Sequence, residues 1–162
     1  MRKPSRRDVG WVFAAFAIAS TIAVAAATGV SATPGVSVVS ELLAQGQSGP
    51  TVEITSPAGT DVAVAKNTFS PGGSSGWHAH PGMAVLVVAS GELTLYREPV
   101  GGGKCTEKTL GVGDTYFERP SKMQNGVNKG TTDAVVIVTF FNVPHSGSAR
   151  IDLPDPGDCP TP

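Results

Sequence analysis

Two of the three histidines in this 162-residue chain stand two positions apart, in Pro71-Gly-Gly-Ser-Ser-Gly-Trp-His-Ala-His-Pro-Gly82, behind a run of glycines. In an extended segment side chains alternate, so His78 and His80 point to one face while Trp77 and Ala79 point to the other. At a rise of roughly 3.3 Å per residue the two imidazoles sit about 6 to 7 Å apart at the backbone, a spacing that lets both close on one metal ion. The alternative is that both are ordinary strand residues lining a cavity and satisfied by hydrogen bonds.

Other chemistry is sparse. His145, in Val143-Pro-His-Ser-Gly, reads as a solvated loop residue. Trp77, Tyr96, Phe117, Phe140 and Phe141 read as core. Glu118 and Arg119 stand at the end of a strand pattern, where they form a rim salt bridge or anchor a substrate. There is no nucleophile elbow, no phosphate loop and no pair of carboxylates on one strand face. The glycines of 72–76 and 101–103 lack the helix that makes an anion cradle.

The elements that must position the histidines are β-strands. From Thr51 onward, short β-branched runs are separated by Gly, Pro, Ser and Asn every eight to twelve residues, and no helical period lasts beyond three turns. Val52 with Ile54, and Val62 with Val64, alternate as strands with one buried face do. Met83–Ala89 is a continuous apolar run, covered on both sides. Glu92–Glu98, Thr109–Leu110, Gly113–Glu118 and Ala134–Asn142 follow as strands, with Pro99–Lys104 as a loop tip. Many short antiparallel strands must close or stack to protect their edges, so the expected architecture is all-β, a small antiparallel barrel or jelly roll.

The flanks differ from this body. Arg2, Lys3, Arg6 and Arg7 precede 22 residues without a charge, Trp11 to Ala32, which end in small side chains. This pattern predicts a bacterial export signal over 1–32 and a secreted or extracytoplasmic protein; if the signal is not cleaved, the same run is long enough to anchor the chain in a membrane. Ser5-Arg6-Arg7-Asp8-Val9 resembles the start of a twin-arginine signal, although Val9 and Gly10 depart from it. Residues 33–50 form an N-terminal extension, in which Val39, Leu42 and Leu43 fit one short helix packed on a core or a brief strand. Residues 51–145 form the barrel and 146–162 a Pro-rich strap.

Removing 1–32 leaves eight Lys and Arg against twelve Asp and Glu, a net charge of −4. A mildly acidic chain of about 130 residues argues for one domain and against nucleic acid or an anionic membrane as partner. The two cysteines, Cys105 and Cys159, are expected to pair in an oxidising compartment, the alternative being two free thiols. The pair closes a loop of 54 residues, worth about 4 kcal/mol in the chain-entropy model.

Taken together, the spacing resembles the cupin superfamily of small β-barrels. Its first motif is Gly, five residues, His-x-His, three or four residues, Glu, six residues, Gly, and Gly72, His78, His80 and Gly91 fall at those places. The glutamate position is Ala84. In the second motif Gly113-Asp114 opens, Pro120 lies one residue late, and Asn128 with Gly130 closes, which puts Gln124 at the position of a third histidine. The resemblance covers about Val62 to Val143. It implies one divalent metal at the barrel centre held by His78, His80 and Gln124, with the carboxylate lost. Zn, Ni or Cu tolerate that loss better than Mn or Fe, which favour an anionic oxygen ligand.

The functional expectation is an exported cupin that binds a small molecule, with a divalent metal at a degenerate His-x-His site. The alternatives are a metal-dependent oxidoreductase of dioxygenase type, an isomerase, or a structural envelope protein. Cupins often pair through barrel edges, which by analogy implies a homodimer.

Overall fold

The computed structural model describes residues 36–98, 104–157 and 159. The export segment and most of the Pro99–Lys104 loop tip lie outside the described residues. The chain divides into Met1–Val38 and Val39–Pro162, and every strand belongs to the second unit.

Nine strands form in this order: β1 (Thr60–Phe69), β2 (His78–Ala79), β3 (Ala84–Ser90), β4 (Leu93–Arg97), β5 (Thr106–Leu110), β6 (Thr115–Glu118), β7 (Gln124–Val127), β8 (Ala134–Pro144) and β9 (Ile151–Asp152). They make two antiparallel sheets, one in the order β1-β8-β3-β6 and one in the order β5-β4-β7-β2-β9. No helix occurs among the described residues. This is the all-β jelly roll that the strand pattern predicts.

β8 is the longest strand, rich in β-branched and aromatic residues that suit a pleated, packed surface. Its alternation sends Ala134, Val136 and Val138 inward, where they meet Ala84, Leu86 and Val88 of β3. Leu93, Leu95 and Leu110 of the facing sheet complete this core, as sheet-on-sheet packing requires. A second cluster, Trp77, Tyr96, Val127 and Cys159, forms apart from it. The disulfide Cys105–Cys159 is present, with Cα atoms 5.1 Å apart, and joins the C-terminal strap to the residue before β5.

Four expectations are corrected. Val39, Leu42 and Leu43 form neither helix nor buried strand: they are 99%, 74% and 57% exposed. Three apolar residues span barely one turn, and a helix that short needs a packing partner, which is not present among the described residues. Val52 and Ile54 lie in irregular chain, and Val52 lines a cavity. Val62 and Val64 do lie in a strand, but on its exposed face. β1 is an edge strand whose inward positions are Ala63, Ala65 and Phe69, so small residues face in and larger ones face water. Phe117, expected in the core, is half-buried and lines the same cavity. The two-residue strands β2 and β9 are too short for any period to show in sequence.

Candidate functional site

The glycine run that precedes the histidines is tied down along its length. Gly72 and Ser75 donate backbone N–H bonds to the carbonyls of Asn128 (2.9 Å) and Gly126 (2.8 Å), and the Ser74 and Ser75 hydroxyls donate to Asn125 Oδ1. Asn128, fully buried, holds the Phe69 and Thr132 carbonyls through its amide. Gly76 then turns the chain with φ +69°, a conformation that side chains disfavour. Its carbonyl accepts a 2.8 Å bond from His78 Nδ1. After His80, Gly82 crosses so close to Phe141 that a Cβ there would lie 1.9 Å from its carbonyl oxygen. No other residue fits at that crossing.

His78 and His80 therefore enter the interior on one face, as alternation predicts. Both are buried, with ring centroids 4.9 Å apart and planes at 78°. His80 Nδ1 donates to the Ala149 carbonyl at 2.7 Å, and its Nε2 faces Glu118 Oε2 at 2.9 Å. Phe140 packs on the same ring at 5.0 Å. Glu118 is thus neither a rim residue nor an exposed anchor. It is buried at the end of β6, in register with Ala84. The position that the resemblance assigns to a carboxylate is empty of one, and the neighbouring strand supplies a carboxylate directly across the ladder.

The electrostatics of the two rings diverge. Burial opposes charge on His80, but its bonds to Glu118 and to the Ala149 carbonyl outweigh that cost and raise its pKa. With acceptors at both nitrogens, His80 is biased toward its protonated form. For His78, burial dominates, the Gly76 carbonyl compensates only in part, and nearby Arg150 and His80 add to the depression of its pKa. His78 is thereby biased toward its neutral form, in which Nδ1 carries the proton donated to Gly76 and Nε2 keeps a lone pair.

Gln124 opens β7 as the cross-strand partner of His78. It is 2% exposed, and its Nε2 has no hydrogen-bond partner among the described residues. Gln124 also lines a cavity of about 1140 Å³ that runs along β6. One side of this cavity is residues 47–53; the other is the rim of the five-stranded sheet, with Arg97, Thr106 and Lys108. Thr106, Arg97, Gln124 and His78 are successive register partners on neighbouring strands, so they form one row across that sheet. The row runs from the cavity rim to the buried histidine. His145 lies apart from all of this, exposed and paired with Asp61.

The cupin domain model matches residues 66–140. Over that stretch the chain is similar to a cupin domain. In structure it is similar to an oxalate oxidase (27% identity, TM-score 0.49, over 57% of this chain and 46% of that one). It is also similar to the Bacillus subtilis oxalate decarboxylase, a protein with Mn(II) centres (21% identity, TM-score 0.50, over 58% and 24%), and to the Lactobacillus farciminis oxalate decarboxylase (18%, TM-score 0.50, over 59% and 27%). The chain thus spans less than half the length of these relatives, and the likeness to the decarboxylases is one of fold. None of the curated proteins matches this sequence.

Do the residues of this site suit a metal? Nδ1 atoms anchored on carbonyls orient both rings as metal-ligating histidines are oriented. The rest of the set does not fit a preassembled centre. A protonated ring has no lone pair to give, so a metal at His80 competes with the proton that Glu118 favours. Among the described residues no group of three or more His, Cys, Asp or Glu side chains converges as a ligand set. The structure brings His78 and Gln124 together as cross-strand partners and sets His80 beside His78. It adds Glu118, which the sequence places in a rim salt bridge or on a substrate rather than beside His80. The signal was there: Tyr116 and Glu118 alternate onto one strand face, one turn before Gln124.

Proposed function

We propose that this is an exported cupin-domain protein that binds a small molecule in the cavity along β6. The observation that carries this is Gln124. Burying an amide donor without a partner costs about 1–3 kcal/mol, and this one borders a cavity where a ligand acceptor can satisfy it. Behind it stand His78, His80 and Glu118, two buried imidazoles beside a buried carboxylate. Isothermal titration of the purified chain against sugars, polyols and organic acids tests the proposal. One class is expected to bind at one site per chain and to weaken about tenfold or more in Gln124→Leu. A panel without a binder, or a binder indifferent to that substitution, overturns it.

Export is supported by the basic start, the uncharged run to Ala32 and a disulfide suited to an oxidising compartment. Cell fractionation of the full chain tests it; recovery of reduced protein in the cytoplasm would refute export.

A second reading, a metal-dependent oxidoreductase of dioxygenase type or an isomerase, rests on the anchored Nδ1 atoms of His78 and His80. In that reading His78, His80 and Gln124 would hold one divalent ion, which would supply Lewis acidity. Fold alone assigns neither activity. Elemental analysis of protein made in metal-replete medium decides between the two: a stoichiometric ion that is lost in His78→Ala favours the second.

A further inference from the structure

The cavity rim carries a charge that the rest of the chain does not. Arg97, Lys104, Lys108, Arg119 and Lys122 line it, against Glu53, Glu98 and Asp114. One of those three carboxylates is already occupied, since Asp114 Oδ2 accepts the Gly111 N–H at 2.8 Å. None of the five cations forms an ion pair among the described residues. This excess of positive charge stands in a chain whose residues after Ala32 sum to −4.

Two of the cations are held over one ring. The Arg97 guanidinium lies 5.8 Å from the centre of Tyr116, and Lys108 Nζ lies 5.6 Å from it. Their aliphatic stems and the ring form one wall at the open end between the sheets, and cation–π contact keeps both charges at that wall. Arg97 is also the cross-strand neighbour of Gln124, so the charged wall and the unpartnered buried amide adjoin.

We propose that the ligand of this cavity is an organic acid, its carboxylate received by Arg97 and Lys108 and a second hydrogen-bond acceptor received by the Gln124 amide. This rests on the small-molecule reading above and narrows it to anions. A guanidinium binds a carboxylate through two parallel hydrogen bonds, which a neutral amide cannot copy. A cavity of about 1140 Å³ accommodates a molecule larger than a two-carbon acid.

The test uses matched probes on the disulfide-intact chain: 4-hydroxybenzoate, gluconate and succinate, against 4-hydroxybenzamide, glucose and succinamide. At least one acid is expected to bind at least tenfold more tightly than its neutral partner, to weaken as salt is raised, and to lose about tenfold or more in Arg97→Gln/Lys108→Gln. Both side chains are exposed, so the variant keeps the fold, and an unchanged melting temperature confirms that. If neutral probes bind as well as acids, or if the double variant binds acids normally, the anion inference is overturned while the cavity reading stands. If neither set binds, both are overturned.

Discussion

The two sheets of the sandwich divide the labour unequally. The four-stranded sheet holds the two longest strands, and its buried positions are almost all Ala, Leu and Val. It gives the polar site one residue, Glu118. The five-stranded sheet includes two strands of only two residues, and buries His78, Thr94, Gln124 and Asn125. Apolar burial holds the first sheet together, whereas the second depends on side-chain bonds to backbone and on a covalent link. Polar chemistry thus sits where propensity is weakest, and the strap with its disulfide compensates.

Breaking that link is the largest expected perturbation. Cys105→Ser/Cys159→Ser should destabilise the protein by about 4 kcal/mol in the chain-entropy model, read by urea unfolding beside the oxidised wild type. Proteolysis should then cut first near Leu153, whose N–H bonds the Trp77 carbonyl. Early cutting in β8 would instead show that the four-stranded sheet is the weaker one.

Next in size is Glu118→Ala, the one polar group lent across the sandwich. It removes the acceptor that holds the proton of His80, at a cost of about 1–3 kcal/mol. The sign with pH follows from the shifts. His80, raised from 6.5, contributes stability that is complete below that value and is lost as pH rises through its folded pKa. His78, lowered from 6.5, contributes stability that is present above that value and is lost as pH falls through its folded pKa. NMR titration should therefore show the two rings protonating on opposite sides of 6.5, and Glu118→Ala should lower the His80 value. Two coincident titrations would dissolve the pairing.

Gln124→Leu is expected to raise stability by up to about 1 kcal/mol, because it removes an unpartnered buried amide, while weakening ligand binding as above. A loss of stability would mean that the amide is satisfied within the protein. The smallest effect is expected at Val64→Thr on the exposed face of β1, within about 0.5 kcal/mol by thermal unfolding. A larger loss would show that the outer face of the four-stranded sheet is covered in solution.

How much of this was legible beforehand varies with the physical signal. Strands such as Ala134–Pro144 announce themselves through residue type and period, and the His78/His80 face follows from alternation alone. The cysteine pairing follows from there being two cysteines behind a sequence that reads as an export signal. Glu118 was read as a rim residue because its burial depends on Ala84 opposite it, and a register between distant strands leaves no local trace. Val62 and Val64 misled because apolar alternation shows that one face differs from the other, not which face an edge strand turns inward.

The sequence by itself determined an all-β architecture and the common face of His78 and His80, while Gln124 joined them only through the resemblance to the cupin motif. These rest on local period and fixed spacing. The tertiary structure alone decided that a carboxylate crosses from β6 to His80, that Gln124 is buried without a partner, and that Arg97 and Lys108 share the ring of Tyr116. Each of those depends on which strands lie side by side, and that is settled only when the sheets close.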